Sequence, residues 1–342
     1  MVKTDKERIT WIDMAKGFGI IAVFIGHMVQ NSPLGSFVYS FHMPLFFFLS
    51  GYLFTSGQGF LKFLKKKSAA ILLPYFTYGL IVVICEAIYP FILSGQKISR
   101  TVLNSLLSEL SMFLLQRRYM VLWFLAVLFW VNILAFFITK IRSMLLQTIV
   151  SIGIFSLGML YYHNGGEWLY WDLDAAAPAF LFFWAGYFCK YLDLIDGCLY
   201  KYAGKSVIAI FIFLVANILS TIINIRIAGF GLEMYFNSYG VPPLTIFAAL
   251  SGIVFIILIS GKRVLRPVRY IGKNSMLFFM WHQSVIYPLI DLLYRSIGIE
   301  GYGTSLFSFM TILLSRLVIA FLMMYLLNEF VMHIPFIEAA GK

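Results

Sequence analysis

The sequence predicts an all-α polytopic membrane protein of about ten transmembrane helices, with both termini cytoplasmic. Three observations carry that expectation. Of 342 residues, 61% are hydrophobic and only 12% charged, and mean hydropathy is +0.89, which leaves too little polar surface to cover a soluble globule. Successive windows are long and apolar enough for the roughly 20 residues that a helix needs to cross a bilayer. Basic residues concentrate on alternate connections, as the positive-inside rule requires of an even number of spans.

The windows lie near residues 11–30, 41–57, 69–93, 119–139, 144–162, 175–191, 206–225, 243–260, 275–294 and 304–327. Asp13 and Lys16 interrupt the first, and no small-residue cleavage site follows it, so it is expected to stay in the protein rather than serve as a signal peptide. Asn31-Ser32-Pro33-Leu34-Gly35 reads as the turn between the first two windows. Pro44 suits the first turn of the second helix, where its missing N–H costs nothing, and Gly51 leaves a bare backbone face for another helix to approach. Phe60 to Lys67 alternates apolar residues with Lys62, Lys65, Lys66 and Lys67, the pattern of a segment in the membrane interface.

Glu86 is a lone carboxylate in the third window. Between 94 and 118, Leu103, Leu106, Leu107, Leu110 and Leu114 recur at helical spacing and predict an amphipathic helix on the outer side, ending at Arg117-Arg118-Tyr119. The loop from His163 to Asp174 holds Glu167, Asp172 and Asp174 with no lysine or arginine. Its Trp168, Tyr170 and Trp171 fit a membrane-edge belt, and they also fit stacking on sugar rings. A second outer loop, 226–242, carries Gly, Asn and Tyr residues suited to acceptor contacts. The basic run from Lys262 to Lys273 returns the chain to the cytoplasmic side, Trp281-His282-Gln283 lies about two turns into the ninth helix, and Arg316 sits mid-way along the tenth. No internal repeat or appended soluble segment is evident, so residues 1–342 read as one membrane domain.

The formal net charge of +11 follows from this topology, and nucleic-acid binding is not expected. Cys85, Cys189 and Cys198 form no C-x-x-C pair and no metal-like spacing, so neither a structural disulfide nor a metal site is expected.

Trp11-Ile12-Asp13 with Lys16-Gly17, Gly26-His27, then Phe41-His42-Met43-Pro44-Leu45-Phe46-Phe47 and Ser50-Gly51-Tyr52, form an ordered set. Trp123-Phe124-Leu125 and Trp281-His282-Gln283 are weaker echoes further on. In these motifs the chain resembles acyltransferase family 3, membrane O-acyltransferases that decorate bacterial surface glycans, and is most similar to its fucose-acetylase-like branch. The resemblance implies an integral-membrane acyltransferase domain of the bacterial inner membrane, with acetyl-CoA as cytoplasmic donor and an extracytoplasmic glycan or lipid-linked sugar as acceptor.

Acyl transfer from a thioester to a hydroxyl needs a base for the hydroxyl proton, a donor for the developing oxyanion and a pocket that excludes water. Polar groups inside apolar helices are costly unless paired or used. On that ground His27 is the first candidate base, by general-base catalysis or by transient acylation of its ring. His42 and His282 follow, and His163 and His333 are weaker. Arg118 and Arg316 are candidates for charge stabilisation, with Glu86 a partner for Arg316. Asp13 is included on the resemblance, a pair with Lys16 three residues on being its structural alternative. Lys65, Lys66, Lys67, Arg263 and Arg266 are candidates to meet the phosphates of the donor. A secondary transporter or flippase for a lipid-linked sugar is the rival reading, in which the buried polar groups would line a pathway.

Overall fold

The computed structural model describes residues 9–57, 59–94, 100–200, 206–303 and 305–331. The cytoplasmic tails expected from the sequence, with His333 and Lys342, lie outside them.

Among the described residues the protein is helical, and nine segments are long and apolar enough to cross a membrane: Thr10–Met28, Pro33–Tyr52, Phe60–Ile92, Thr101–Ile138, Met144–His163, Val207–Ala228, Pro242–Ser260, Ser275–Ser296 and Leu306–Phe330. The expected window at 175–191 does form a helix, Leu173–Tyr191. It is not one of the nine, and Asp174 and Lys190 near its two ends make it less apolar. The second span starts earlier than expected. Ser32 caps a helix there, its Oγ accepting the Gly35 N–H at 3.0 Å, with Pro33 at the first helical position, so the expected turn ends at Ser32 and Pro33-Leu34-Gly35 already belong to the helix.

The chain divides into two compact units. The first comprises Met1–Thr55, Thr148–Ser156 and Pro178–Ser275. It contains α1 (Thr10–Met28), α2 (Pro33–Tyr39), α3 (His42–Tyr52), most of α4 (Leu173–Tyr191), α5 (Val207–Ala228), α6 (Pro242–Ser260) and α7 (Arg266–Lys273). Glycines set its closest approaches. A Cβ on Gly51 of α3 would collide with the Phe183 carbonyl of α4, and one on Gly186 of α4 with the Phe48 carbonyl of α3. The same reciprocity joins α1 to α7, where Gly17 meets the Val268 carbonyl and Gly272 meets the Asp13 carbonyl. Small residues let membrane helices touch backbone to backbone and gain dispersion energy where no hydrophobic effect separates helix from lipid. Replacing Gly272 with valine is therefore expected to lower stability by about 3 kcal/mol or more, read as a fall in unfolding temperature in detergent. The unchanged melting of a Gly57→Val control, where a Cβ meets nothing within 4 Å, gives the comparison.

α5 has an inverted pattern. Its buried residues are Asn217, Ser220, Thr221 and Asn224, while Ile208, Phe211, Leu219, Ile222 and Ile227 are exposed. Polar side chains face inwards and apolar ones outwards, as expected of a helix whose outer solvent is hydrocarbon. Asn217 Nδ2 donates to Ser40 Oγ at 2.8 Å and to the Ala248 carbonyl at 2.7 Å. Asn224 takes the Val241 N–H at 2.7 Å and donates to Thr245 Oγ1 at 2.9 Å. The first bond fixes the residue between Tyr39 and Phe41, and the others fix the connection between α5 and α6.

The second unit comprises Ser56–Gln147, Leu157–Ala177 and Met276–Lys342. The expected amphipathic helix is present as Arg100–Leu115. Tyr75 stacks on Phe113, with ring centroids 4.9 Å apart, and donates to the Phe113 carbonyl at 2.7 Å. Left-handed backbone at the non-glycine residues Gln116, Arg118, Met120, Trp171 and Asp172 concentrates where two connections in this unit meet.

Candidate active site

In the first unit, His27 near the end of α1, Tyr39 at the end of α2 and His42 at the start of α3 come together. Gly26 is the reason α2 can approach: a Cβ there would stand 3.1 Å from the Tyr39 ring. The Tyr39 hydroxyl lies 3.4 Å from His27 Nδ1, and the Tyr39 ring meets the His42 ring edge-on, with centroids 4.8 Å apart. His27 is half-buried. His42 is buried, and its Nδ1 lies 2.8 Å from the Val38 carbonyl. A carbonyl only accepts, so Nδ1 carries the proton and the neutral ring keeps its lone pair on Nε2.

Glu233, in the connection between α5 and α6, lies within electrostatic reach of Tyr39. Its backbone closes a short antiparallel bridge, Glu233 N–H to the Ser238 carbonyl at 2.8 Å and Ser238 N–H back at 3.0 Å. Its side chain accepts the Tyr235 N–H at 3.2 Å. Burial pushes the carboxyl up to about 7, with the Tyr235 N–H opposing that shift. Sequence reasoning missed both Tyr39 and Glu233. It marked their surroundings, the turn after α1 and the outer loop 226–242, but neither residue has a motif of its own.

Asp13 does not approach this cluster along α1. The helix runs unbroken through Gly17 and Gly19, and at 1.5 Å per residue Asp13 is about 21 Å from His27 along its axis. Asp13 is buried and pairs with Arg269 of α7 at 3.6 Å. Arg263 and Arg266 are exposed.

The remaining candidates lie in the second unit. The Arg118 side chain is fully buried and bonded to three side chains. Nη1 donates to Asp172 at 2.9 Å, Nη2 to Asp174 at 2.7 Å and to the Tyr162 hydroxyl at 3.2 Å, and its backbone N–H to Asp172 at 2.8 Å. Its two carboxylate partners come from the acidic loop, so this arginine clips the loop to the segment after the amphipathic helix. Arg316 pairs with Asp291 at 2.7 Å, not with Glu86, because Asp291 and not Glu86 stands opposite it, and its guanidinium packs over the Tyr294 ring at 4.6 Å. Glu86 has Ser284 and Glu109 as neighbours. His282 is buried at the start of a π-helical turn, His282–Ile286, with Nδ1 2.7 Å from the Phe279 carbonyl. Lys65 and Lys66 are exposed, Lys67 lies 5.7 Å over the Phe63 ring, and His163 is exposed. Among the described residues no group of His, Cys, Asp and Glu is arranged to hold a metal ion.

An apolar, many-spanned helical chain with one buried and one half-buried imidazole beside a phenol is a membrane protein with a candidate proton-handling centre. Over residues 9–328 it matches acyltransferase family 3, described as an acyltransferase domain, and it belongs to that family. No curated protein and no solved structure matches it.

Proposed function

We propose that the protein is a membrane O-acetyltransferase, of the fucose-acetylase-like branch, that moves acetyl from cytoplasmic acetyl-CoA to a hydroxyl of an extracytoplasmic glycan or lipid-linked sugar across the bacterial inner membrane. The observation that carries the reading is the half-buried His27 with its Nδ1 against the Tyr39 hydroxyl, in a chain of acyltransferase family 3. When Nδ1–H donates to Tyr39, Nε2 carries the ring's lone pair, the atom that acts as base.

In this reading His27 Nε2 takes the proton of the acceptor hydroxyl while its oxygen attacks the thioester carbonyl. The new C–O bond forms, the C–S bond breaks, and the imidazolium returns the proton to the departing thiolate, so that an ester and free coenzyme A result. His42, with a fixed tautomer and a second lone pair beside the same phenol, supports the orientation of Tyr39. The exposed cations Arg263 and Arg266 in the first unit, and Lys65 and Lys66 in the second, are each surfaces that attract a polyphosphate donor.

The test is transfer itself. Purified protein in proteoliposomes, given acetyl-labelled acetyl-CoA and a lipid-linked sugar, is expected to place label on the acceptor as an alkali-labile ester. Counterflow of unmodified sugar with no ester would reject the enzyme and favour a carrier.

A further inference from the structure

Asp13 is only 7% exposed, and the pair it makes with Arg269 is incomplete. At 3.6 Å its Oδ2 and Arg269 Nε form an ion pair without a hydrogen bond, and neither atom has a hydrogen-bond partner among the described residues. The buried Nε faces Asp13, whereas Nη1 and Nη2 of Arg269 have no partner among the described residues and reach the surface. Asp13 thus holds the guanidinium from the inside and leaves its terminal fork outwards. At 3.6 residues per turn, Arg266, Arg269 and Lys273 fall within about 60° of one another on α7, and Arg266 and Lys273 are exposed. Val268, Ile271 and Gly272 on the opposite side are buried, with Gly272 against the Asp13 carbonyl. This backbone contact fixes the basic face of α7 beside the first turn of α1. Three cations against one carboxylate suit a phosphate, which a guanidinium fork meets with two parallel hydrogen bonds.

The same helix sets the distance from this face to the candidate base. Asp13 stands about 21 Å from His27 along the unbroken α1. The arm of coenzyme A from pyrophosphate to sulfur is a chain of about thirteen bonds with two amides, roughly 15 Å when extended at peptide-like spacing. The reach of the Arg269 side chain at one end and the acceptor hydroxyl at the other make up the difference.

We propose that Arg269, positioned by Asp13 and assisted by Arg266 and Lys273, binds the phosphates of the acyl donor, and that α1 spaces this phosphate site from His27 by the length of the donor's arm. The inference rests on the acetyl-CoA reading of the function. It gives Asp13 a positioning role at the donor end and no part in the proton transfer.

The test uses protein in phosphatidylcholine nanodiscs, which carry no anionic headgroup. Arg269→Met is expected to weaken coenzyme A binding, read by calorimetry, and to raise the KM for acetyl-CoA by about ten- to a hundredfold, the worth of hydrogen bonds to a charged group. Its kcat should not change. Acetyl-pantetheine lacks the phosphates, so its KM should be the same in Arg269→Met and the wild type. Arg269→Lys keeps a charge opposite Asp13 without the fork; it should melt like the wild type and still raise the KM for acetyl-CoA. Asp13→Asn is expected to raise that KM by a smaller factor. Arg142→Met, which removes the same charge from an exposed position in the other unit, should leave it unchanged. If folded Arg269→Met and Arg269→Lys bind coenzyme A as tightly as the wild type, or lose acetyl-CoA and acetyl-pantetheine equally, the inference is rejected and the pair is structural. A defect that appears only when phosphatidylglycerol is added assigns the fork to a lipid headgroup and rejects the donor. Binding needs no base, so His27→Ala should hold coenzyme A normally, and an active His27→Ala would remove the base while leaving the phosphate site. If the wild type binds no coenzyme A, the donor reading falls and this inference falls with it.

Discussion

Replacing His27 with alanine is expected to reduce kcat for acetyl transfer by about 10²–10⁴-fold, the range that a positioned general base contributes, with little change in unfolding temperature. His27 is half-buried and lies near the last turn of α1. Removing its ring takes away the 3.4 Å contact to Tyr39 and leaves intact the glycine contacts that lock α1 against α7. The loss should appear in kcat and not in the KM for the donor, because the base acts in the transition state. His27→Gln, which preserves bulk and hydrogen bonding but cannot take up a proton near neutral pH, should be as inactive as alanine. Activity retained by glutamine would mean that the ring serves only as a hydrogen-bonding spacer.

The second large effect concerns folding. Arg118→Met leaves Asp172 and Asp174 buried with no cation, and is expected to cost about 3–5 kcal/mol, the usual penalty for breaking a buried ion pair from one side. Burial pushes the Asp172 carboxyl up, while the Arg118 guanidinium, the Arg118 N–H and Gln116 act against it. Burial already wins with the guanidinium present, and without it the carboxyl moves up further, so the folded variant prefers the protonated acid more strongly. A group with a raised folded pKa stabilises below its unfolded value and loses that contribution as pH rises. Arg118→Met should therefore be least unstable in acid and worsen above the carboxylate range. Adding Asp172→Asn and Asp174→Asn should recover much of the loss, since neutral amides need no counterion. Thermal unfolding in detergent from pH 5 to pH 8 reads all three outcomes, and a pH-independent loss in Arg118→Met would contradict the clip.

The contiguous part of the site was legible in the sequence, and the assembled part was not. His27, His42, Gly26 and Gly51 stand within one short stretch whose polar and glycine positions are anomalous for apolar helices, and a cost of burial can be read from composition alone. Glu233 lies about two hundred residues further on, and only the fold brings it within electrostatic reach of Tyr39. Partner choice was likewise hidden. Glu86 and Asp291 are equally acidic in sequence, and which of them meets Arg316 depends on helix rotation. Arg118 read as a candidate for charge stabilisation because its two aspartates lie beyond the next two helices, in a loop whose acids carried no sign of their partner. The extent of the turn before α2 was overread: Ser32-Pro33 is a helix-start signal as much as a break, and the turn stops at Ser32.

The central claim is that the His27 imidazole handles the acceptor proton at the thioester. Its most direct test is a structure with a non-transferable acetyl-CoA analogue bound. The account predicts the acyl carbonyl carbon within about 4 Å of where an oxygen hydrogen-bonded to His27 Nε2 would stand, close to the 3–3.5 Å of a near-attack geometry. An acyl group seated elsewhere, with His27 closed off from it by side chains, would contradict it.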